Sequence, residues 1–275
     1  MNTMENKTMN GTLGDYCFEI AKQASDSLYK DVAQKYVTAA EHYLKDQNYD
    51  LAGFSYEKAH DNYLHYGNEA LAADVAVKAV NAYKELPNTL EKCEKLLITA
   101  FKYYVKHDQF KAADQSILLA TLYTDSVTDK DNYNTANDKY IRAIQLYEEA
   151  WSFYKKGPLS EAIKGFTALK SASAIAIKNH QYTKALTLLE TLDKDKRCVF
   201  AHGLIVDTAI IKLYISGINE CREWFFIEHT ALPNNPFSSL IVNYNQGNRD
   251  GFLRIAQQYT SWQKKLLLEV STRMV

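Results

Sequence analysis

Two amphipathic runs joined by a four-residue polar link, Val32 to Tyr66, constrain the fold of this chain more than any other stretch. The first run carries Val32, Tyr36, Ala39, Ala40 and Tyr43, and the second carries Ala52, Tyr56, Ala59, Tyr63 and Tyr66. Apolar positions three and four apart fall on one stripe of a helix with about 3.6 residues per turn. Between them, Lys45-Asp46-Gln47-Asn48 is too short for anything but a tight reversal. The stretch predicts an antiparallel helical hairpin in which alanines allow close approach and tyrosine rings fill the spaces between helices.

The pattern recurs. Asp108-Gln109-Phe110-Lys111-Ala112-Ala113 and His180-Gln181-Tyr182-Thr183-Lys184-Ala185 repeat the arrangement of Gln47-Asn48-Tyr49-Asp50-Leu51-Ala52. In each, an aromatic stands three residues before an alanine, so the ring can staple a helix start onto the helix before it. The aromatics at 49, 110 and 182 are separated by about two hairpins of roughly 30 to 40 residues each, the range of tetratricopeptide-like helix pairs. Between these turns the periodicity predicts a helix on Ala72, Val75, Ala76, Ala79 and Tyr83, closed by Pro87. Another, on Leu90, Leu97, Phe101 and Tyr104, is introduced by a capping box of Asn88 and Glu91. Further helices follow on Ala136 to Tyr154 and on Ala162, Phe166 and Leu169, with a short opening helix from Tyr16 to about Ser25.

With four prolines and ten glycines in 275 residues, and 47% hydrophobic content, the chain has the punctuation of long helices and enough apolar mass for a core. The texture changes after Asp193-Lys194-Asp195-Lys196-Arg197. A very apolar helix through Val199, Leu204, Ile205, Ala209, Ile210 and Leu213 needs cover on all sides, and shorter pieces follow it. The last helix starts near Ser261, with Trp262, Leu266, Val270 and Met274 on one face and Leu267 widening it. The expected fold is all-α: a tetratricopeptide-like right-handed superhelical array of antiparallel helix hairpins capped by a C-terminal helical bundle. Residues 1–14 are expected to be a flexible leader, 15–193 the hairpin repeat and 194–275 the bundle.

No catalytic constellation emerges from the residues. The chain carries no Gly-x-x-x-x-Gly-Lys phosphate loop, no His-Glu-x-x-His pair and no Gly-x-Ser-x-Gly elbow, so the expectation is a protein without enzymatic activity, metal or cofactor. His60 and His65, five apart, read as ordinary surface histidines, and Asp125 to Asp131 lacks the glycine and terminal glutamate of a calcium loop. Cys17, Cys93, Cys198 and Cys221 are scattered and read as free, mostly buried thiols of a reducing cytosol. The formal charge of −1 supplies no global field for nucleic acid, and the tyrosines fall on packing stripes rather than in a stacking platform. There is no secretory signal or membrane span, which predicts a soluble intracellular chain. A helical array without catalytic motifs presents its surface to other proteins.

Several stretches together resemble the soluble NSF attachment proteins, the SNAP family, most closely the alpha type. They are the Ala-Ala and aromatic pattern of Tyr36 to Tyr43, the turn Asp108 to Ala113 with Ile117 to Tyr123 after it, Leu204-Ile205-Val206-Asp207, and the terminal Trp262-Gln263-Lys264-Lys265-Leu266-Leu267-Leu268. The resemblance implies a cytoplasmic adaptor for vesicle fusion and intracellular transport. Its concave face would grip acidic SNARE bundles, and its C-terminal end would recruit the AAA ATPase NSF, with peripheral membrane association through the SNAREs. It implies a SNARE-binding set of Lys111, Lys164, Lys170, Lys196 and Arg197, an ATPase-contact helix with Trp262, Leu266, Leu267 and Met274, and a weak membrane contact at Leu28 and Tyr29. The sequence departs from the family pattern at neutral Gln109 and Gln115, in the sparse acids of Leu240 to Asp250, and at Arg273-Met274-Val275, where the family carries an acidic tail. Two alternatives follow: a divergent SNAP mimic that binds SNAREs or NSF without activating disassembly, and a generic tetratricopeptide-like scaffold whose groove would be neutral or acidic.

Overall fold

The computed structural model describes residues 12–23, 29–195, 197, 201–228 and 236–274. These residues form fourteen α-helices and no strand. Contacts divide the chain into two compact units, Met1–Phe153 and Tyr154–Val275. No helix among the described residues is long and apolar enough to cross a membrane.

The first unit runs α1 (Leu13–Gln23), α2 (Tyr29–Lys45), α3 (Tyr49–His65), α4 (Glu69–Tyr83), α5 (Leu90–His107), α6 (Gln109–Asp125) and α7 (Tyr133–Tyr154). From α1 to α6, each helix packs on the next. The expected stripe is the core: Val32, Tyr36, Ala39, Ala40 and Tyr43 of α2, Ala52, Tyr56, Ala59 and Tyr63 of α3, and Ala72, Val75, Ala76, Ala79 and Tyr83 of α4 are all buried. Tyr66 is not. It caps α3 and is 51% exposed, because the chain has already begun to turn there. At Gly53 in α3, an added Cβ would sit 2.5 Å from the ring of Tyr83, so the absence of a side chain admits the α4 tyrosine.

The links share one device. A residue with positive φ, Gln47 (57°) or Gly67 (80°), ends the helix, and the next residue, Asn48 or Asn68, starts the following one. The Asn48 amide donates to Tyr43 O at 2.8 Å and that of Gln47 to Leu44 O at 3.0 Å, the paired bonds of a Schellman motif. The Asn48 side chain then accepts from Leu51 N at 3.2 Å, capping α3. Gly67-Asn68 is the same connector, although its composition reads as a plain break. Asp108 achieves the reversal in a single residue, closing α5 and capping α6 through Phe110 N and Lys111 N.

Two expectations fail locally. Asn88 does not cap α5: it takes a φ of 61°, and Thr89 stands at the N-cap with its hydroxyl donating to Tyr83 O and Leu86 O. Glu91 instead pairs with Lys95 one turn on. His60 is not a surface residue. It is 6% exposed, with Nδ1 2.9 Å from Ala72 O, and since a carbonyl only accepts, Nδ1 carries the proton. His65 is exposed and stacks on Tyr29, at 5.3 Å between ring centroids.

A tyrosine ladder crosses this unit. Hydroxyls donate to a side chain on the preceding helix from Tyr43 to Asp15 (2.7 Å), Tyr63 to Gln34 (3.2 Å), Tyr83 to Glu57 (2.7 Å), Tyr104 to Asp74, and Tyr123 to Glu94 (2.7 Å). Tyr147 and Thr121 share a bond of 3.2 Å in the same relation. Antiparallel packing sets the late part of one helix beside an earlier turn of its predecessor, and a tyrosine ring spans the interface with its hydroxyl emerging at the polar edge. Burial is the main reason the Tyr43, Tyr83 and Tyr104 hydroxyls lie far above the ordinary phenol range, with the carboxylate acceptors adding to it. In return, the Tyr43 hydrogen bond holds Asp15 below its usual value.

The second unit contains α8 (Leu159–Lys178), α9 (Tyr182–Lys194), α10 (Ala201–Ser216), α11 (Ile218–Glu228), α12 (Pro236–Asn245), α13 (Arg249–Ala256) and α14 (Ser261–Ser271). The expected cover for the apolar α10 is there: α9, α11 and α14 all pack on it, and Ile205, Ala209, Ile210 and Leu213 are buried. His180 (φ 57°) with Gln181 and Gly247 (φ 63°) with Asn248 repeat the backbone bonds of the first unit's connector, and Asn248 adds the side-chain cap that Gln181 does not make. Thr260 and Gln263 form a capping box at the start of α14. Gln263 also donates through Nε2 to Asp207 on α10, whose carboxyl is pushed up by burial.

Candidate functional site

In the first unit, α2, α4 and α6 line a groove of about 560 Å³. Gln34, Val37 and Glu41 come from α2, Leu71, Asp74, Val75, Val77 and Lys78 from α4, and Lys111, Asp114 and Gln115 from α6, with Tyr63 and Tyr104 between them. These helices alternate with α3 and α5 in the ladder, so every second helix turns the same side toward the groove. Lys111 is placed there by its position in the first turn of α6, where Asp108 holds its backbone amide.

The groove's charges are mixed and largely internal. Three carboxylates, Glu41, Asp74 and Asp114, stand with two lysines. Lys111 Nζ lies 3.5 Å from Asp74 Oδ1 and 5.1 Å over the Tyr104 ring, while Tyr104 donates to the same Asp74 oxygen. Lys78 Nζ lies 3.9 Å from Glu41 and 5.8 Å from the Tyr56 ring. Both ion pairs are about half exposed, so each contributes no more than about 1 kcal/mol and can be exchanged for a partner's charge. Gln115, 8% exposed, donates to Lys111 O at 3.2 Å, and its Oε1 finds no hydrogen-bond partner among the described residues.

The remaining basic residues expected in the binding set lie in the second unit. Lys164 and Lys170 are exposed on α8, six residues apart and so about 120° apart around the helix. Lys164 pairs with Glu161 at 3.0 Å and covers the Tyr154 ring at 5.7 Å, while Lys170 acts electrostatically on Asp207. Arg197 is tied back by two bonds to Asp195, at 3.0 and 2.8 Å, and donates to Lys155 O at 3.1 Å. Lys196 and Leu28 lie outside the described residues.

The expected ATPase-contact helix is α14, and here burial redistributes the roles. Leu266 and Leu267 are 1% and 0% exposed, so they pack the bundle and are not available at its surface. Trp262 and Met274 are half-buried, Met274 beyond the end of the helix. Leu268, at 41% exposure, is the leucine that α14 turns outward. Sequence reasoning missed the Asp207–Gln263 link and the acceptors of the tyrosine ladder. The visible signal was the recurrence of tyrosine at 43, 63, 83, 104 and 123, about one helix apart.

Among the described residues, no group of three or more His, Cys, Asp or Glu side chains could hold a metal ion. Cys93 and Cys221 are free and buried, and Cys17 is free and partly exposed. A comparison with curated proteins returns no match. The model of the family described as "Soluble NSF attachment protein, SNAP" matches residues 6–197, which takes in the whole tyrosine ladder, the groove and α8 and α9. As that match spans well over half of the 275 residues, the chain belongs to the soluble NSF attachment protein family.

Proposed function

We propose that this protein is an adaptor of the membrane-fusion machinery, binding SNARE helical bundles and recruiting an NSF-type ATPase that takes them apart. The family match is the observation that carries this reading, because it covers every helix that lines the groove. The groove suits a helical partner: it runs across three parallel-facing helices, and its weak ion pairs can yield their lysines to incoming carboxylates. In this reading Lys111, Lys164, Lys170, Lys196 and Arg197 contact the bundle, and the outward side of α14, with Leu268 and the half-buried Trp262 and Met274, meets the ATPase. Association with membrane is peripheral and runs through the SNAREs, with at most a weak contact from Leu28 and Tyr29. The adaptor positions its partners and performs no chemistry.

The test is a pull-down with purified SNARE complex, followed by disassembly in the presence of NSF and ATP. Salt-sensitive retention, reduced when the five basic residues are reversed to Glu, is the expected result; retention unchanged by the reversal removes this surface from the reading. The charge of the groove favours a second reading, a family member that holds SNAREs or the ATPase without driving disassembly. Three carboxylates against two already paired lysines attract an acidic bundle less than a continuous basic stripe would. Inhibition of a competent SNAP in the same assay, without stimulation by this chain alone, would select it.

A further inference from the structure

On the first unit, Leu64 of α3, Glu69, Ala72 and Ala73 of α4, and Thr99, Lys102, Tyr103 and Lys106 of α5 line a second groove of about 260 Å³. None of its lining residues belongs to the groove that holds Lys111. Its floor is apolar: Ala72 and Ala73 are buried and Leu64 is 41% exposed. Its wall is stiff, since the Tyr103 ring stacks on His107 at 4.5 Å and meets Tyr104 edge-on at 5.6 Å.

The charges here are arranged unlike those of the first groove. Lys102 and Lys106 are both exposed, one helical turn apart, with Cβ atoms about 5–6 Å from each other. Neither is paired with a carboxylate among the described residues, whereas Lys78, Lys95 and Lys111 of the neighbouring helices and turns are. Among the described lining residues, Glu69 is the one carboxylate. Two ammonium groups without an ion pair among the described residues, beside an apolar trough of this size, suit an amphipathic helical segment with carboxylates at i and i+4 and an apolar side chain between them.

We infer that this face is a docking site for an acidic amphipathic helix, distinct from the groove that the SNARE reading uses. The apolar anchor of the segment rests on Leu64, Ala72 and Ala73 against the Tyr103 ring, and its two carboxylates pair with Lys102 and Lys106. An acidic segment placed in the first groove would have to displace Asp74 and Glu41 from their lysines, whereas here, among the described residues, no ion pair of Lys102 or Lys106 has to be broken.

The probe is a fluorescein-labelled helical peptide with Glu at i and i+4 flanking a leucine, titrated with the full chain and read by anisotropy. Binding weakens with salt between about 50 and 300 mM, because the pairs are solvent-exposed and added ions screen them and the longer-range attraction that brings the peptide in. Lys102→Glu with Lys106→Glu lowers affinity about tenfold or more, Leu64→Ala lowers it further, and Lys111→Glu leaves it unchanged. The peptide with Gln for both glutamates binds weakly. Circular dichroism establishes that the exposed substitutions leave the fold intact. Equal binding by the doubly reversed variant, an equal loss with Lys111→Glu, undiminished binding of the Gln peptide, or no binding at about millimolar concentration would each overturn the proposal. So would binding of phosphatidylserine vesicles through Lys102 and Lys106 with none of the peptide, which would make the partner a lipid surface.

Discussion

Gly53→Ala sets two well-characterised effects against each other, and the structure decides the sign. Gly53 lies inside α3, so replacing it with alanine gains about 1 kcal/mol of helix propensity in isolation. In the folded unit, however, the new methyl would stand 2.5 Å from Tyr83 Cε1, 2.6 Å from Cδ1 and 2.8 Å from Cζ. The ring cannot give way easily: Tyr83 is 0% exposed and its hydroxyl is held by Glu57 at 2.7 Å. Overpacking costs about 1–3 kcal/mol, and a ring pinned at both ends places this site near the upper value. The net expectation is a loss of about 2 kcal/mol, or a fall of roughly 4–8 °C in the Tm of the first unit. Thermal unfolding by circular dichroism measures the whole, and hydrogen exchange of peptides from Tyr49 to Tyr83 assigns the loss to α3 and α4. In a Tyr83→Leu background the same Gly53→Ala change should become neutral or stabilising. A higher Tm in the wild-type background, or an undiminished cost once the ring is gone, would refute the packing argument.

Two further outcomes are expected. Asp207 has its carboxyl raised by burial, partly offset by the Gln263 hydrogen bond and the charge of Lys170. Its folded form therefore binds the proton more tightly than the unfolded chain does, and stability falls as pH rises from about 3.8 through the raised value. Asp207→Asn keeps an oxygen for Gln263 and removes the buried charge, so it should raise the Tm at neutral pH, with the advantage vanishing below about pH 4; a lower Tm at pH 7 would contradict this. Asn68 accepts from Leu71 N at 3.0 Å, so Asn68→Ala should cost about 1 kcal/mol in urea unfolding while Asn68→Asp stays close to wild type. An unchanged midpoint for the alanine variant would show that Asn68 is not a working cap.

The helices and their buried stripes were legible because they rest on local rules. Alanine and tyrosine recur at helical spacing from Val32 to Tyr83, and every member of that stripe except Tyr66 is buried. The connectors were half legible: Gln47-Asn48 and His180-Gln181 announced themselves through the aromatic that follows. Gly67-Asn68 did not, because glycine disguises a Schellman turn as a mere break. Asn88 misled, since a residue with a good capping side chain took the left-handed position and passed the N-cap to Thr89. His60 misled for a different reason, as its partner is the carbonyl of Ala72 in the next helix and no spacing within α3 reveals it.

What the sequence by itself determined is the set of helices, their short reversals and the apolar face of each, since hydrogen bonds four residues apart and caps three residues apart are fixed within a single turn of chain. Only the tertiary structure decided which charges remain free. Asp74 meets Lys111 across 37 residues, Glu41 meets Lys78 from another helix, and among the described residues no carboxylate pairs with Lys102 or Lys106. It also decided that Leu266 and Leu267 close the bundle while Leu268 faces outward, because the packing of α14 on α10 selects which side of a leucine-rich helix is covered. Pairing and burial depend on distances between segments far apart in sequence, and those distances exist only once the helices have packed.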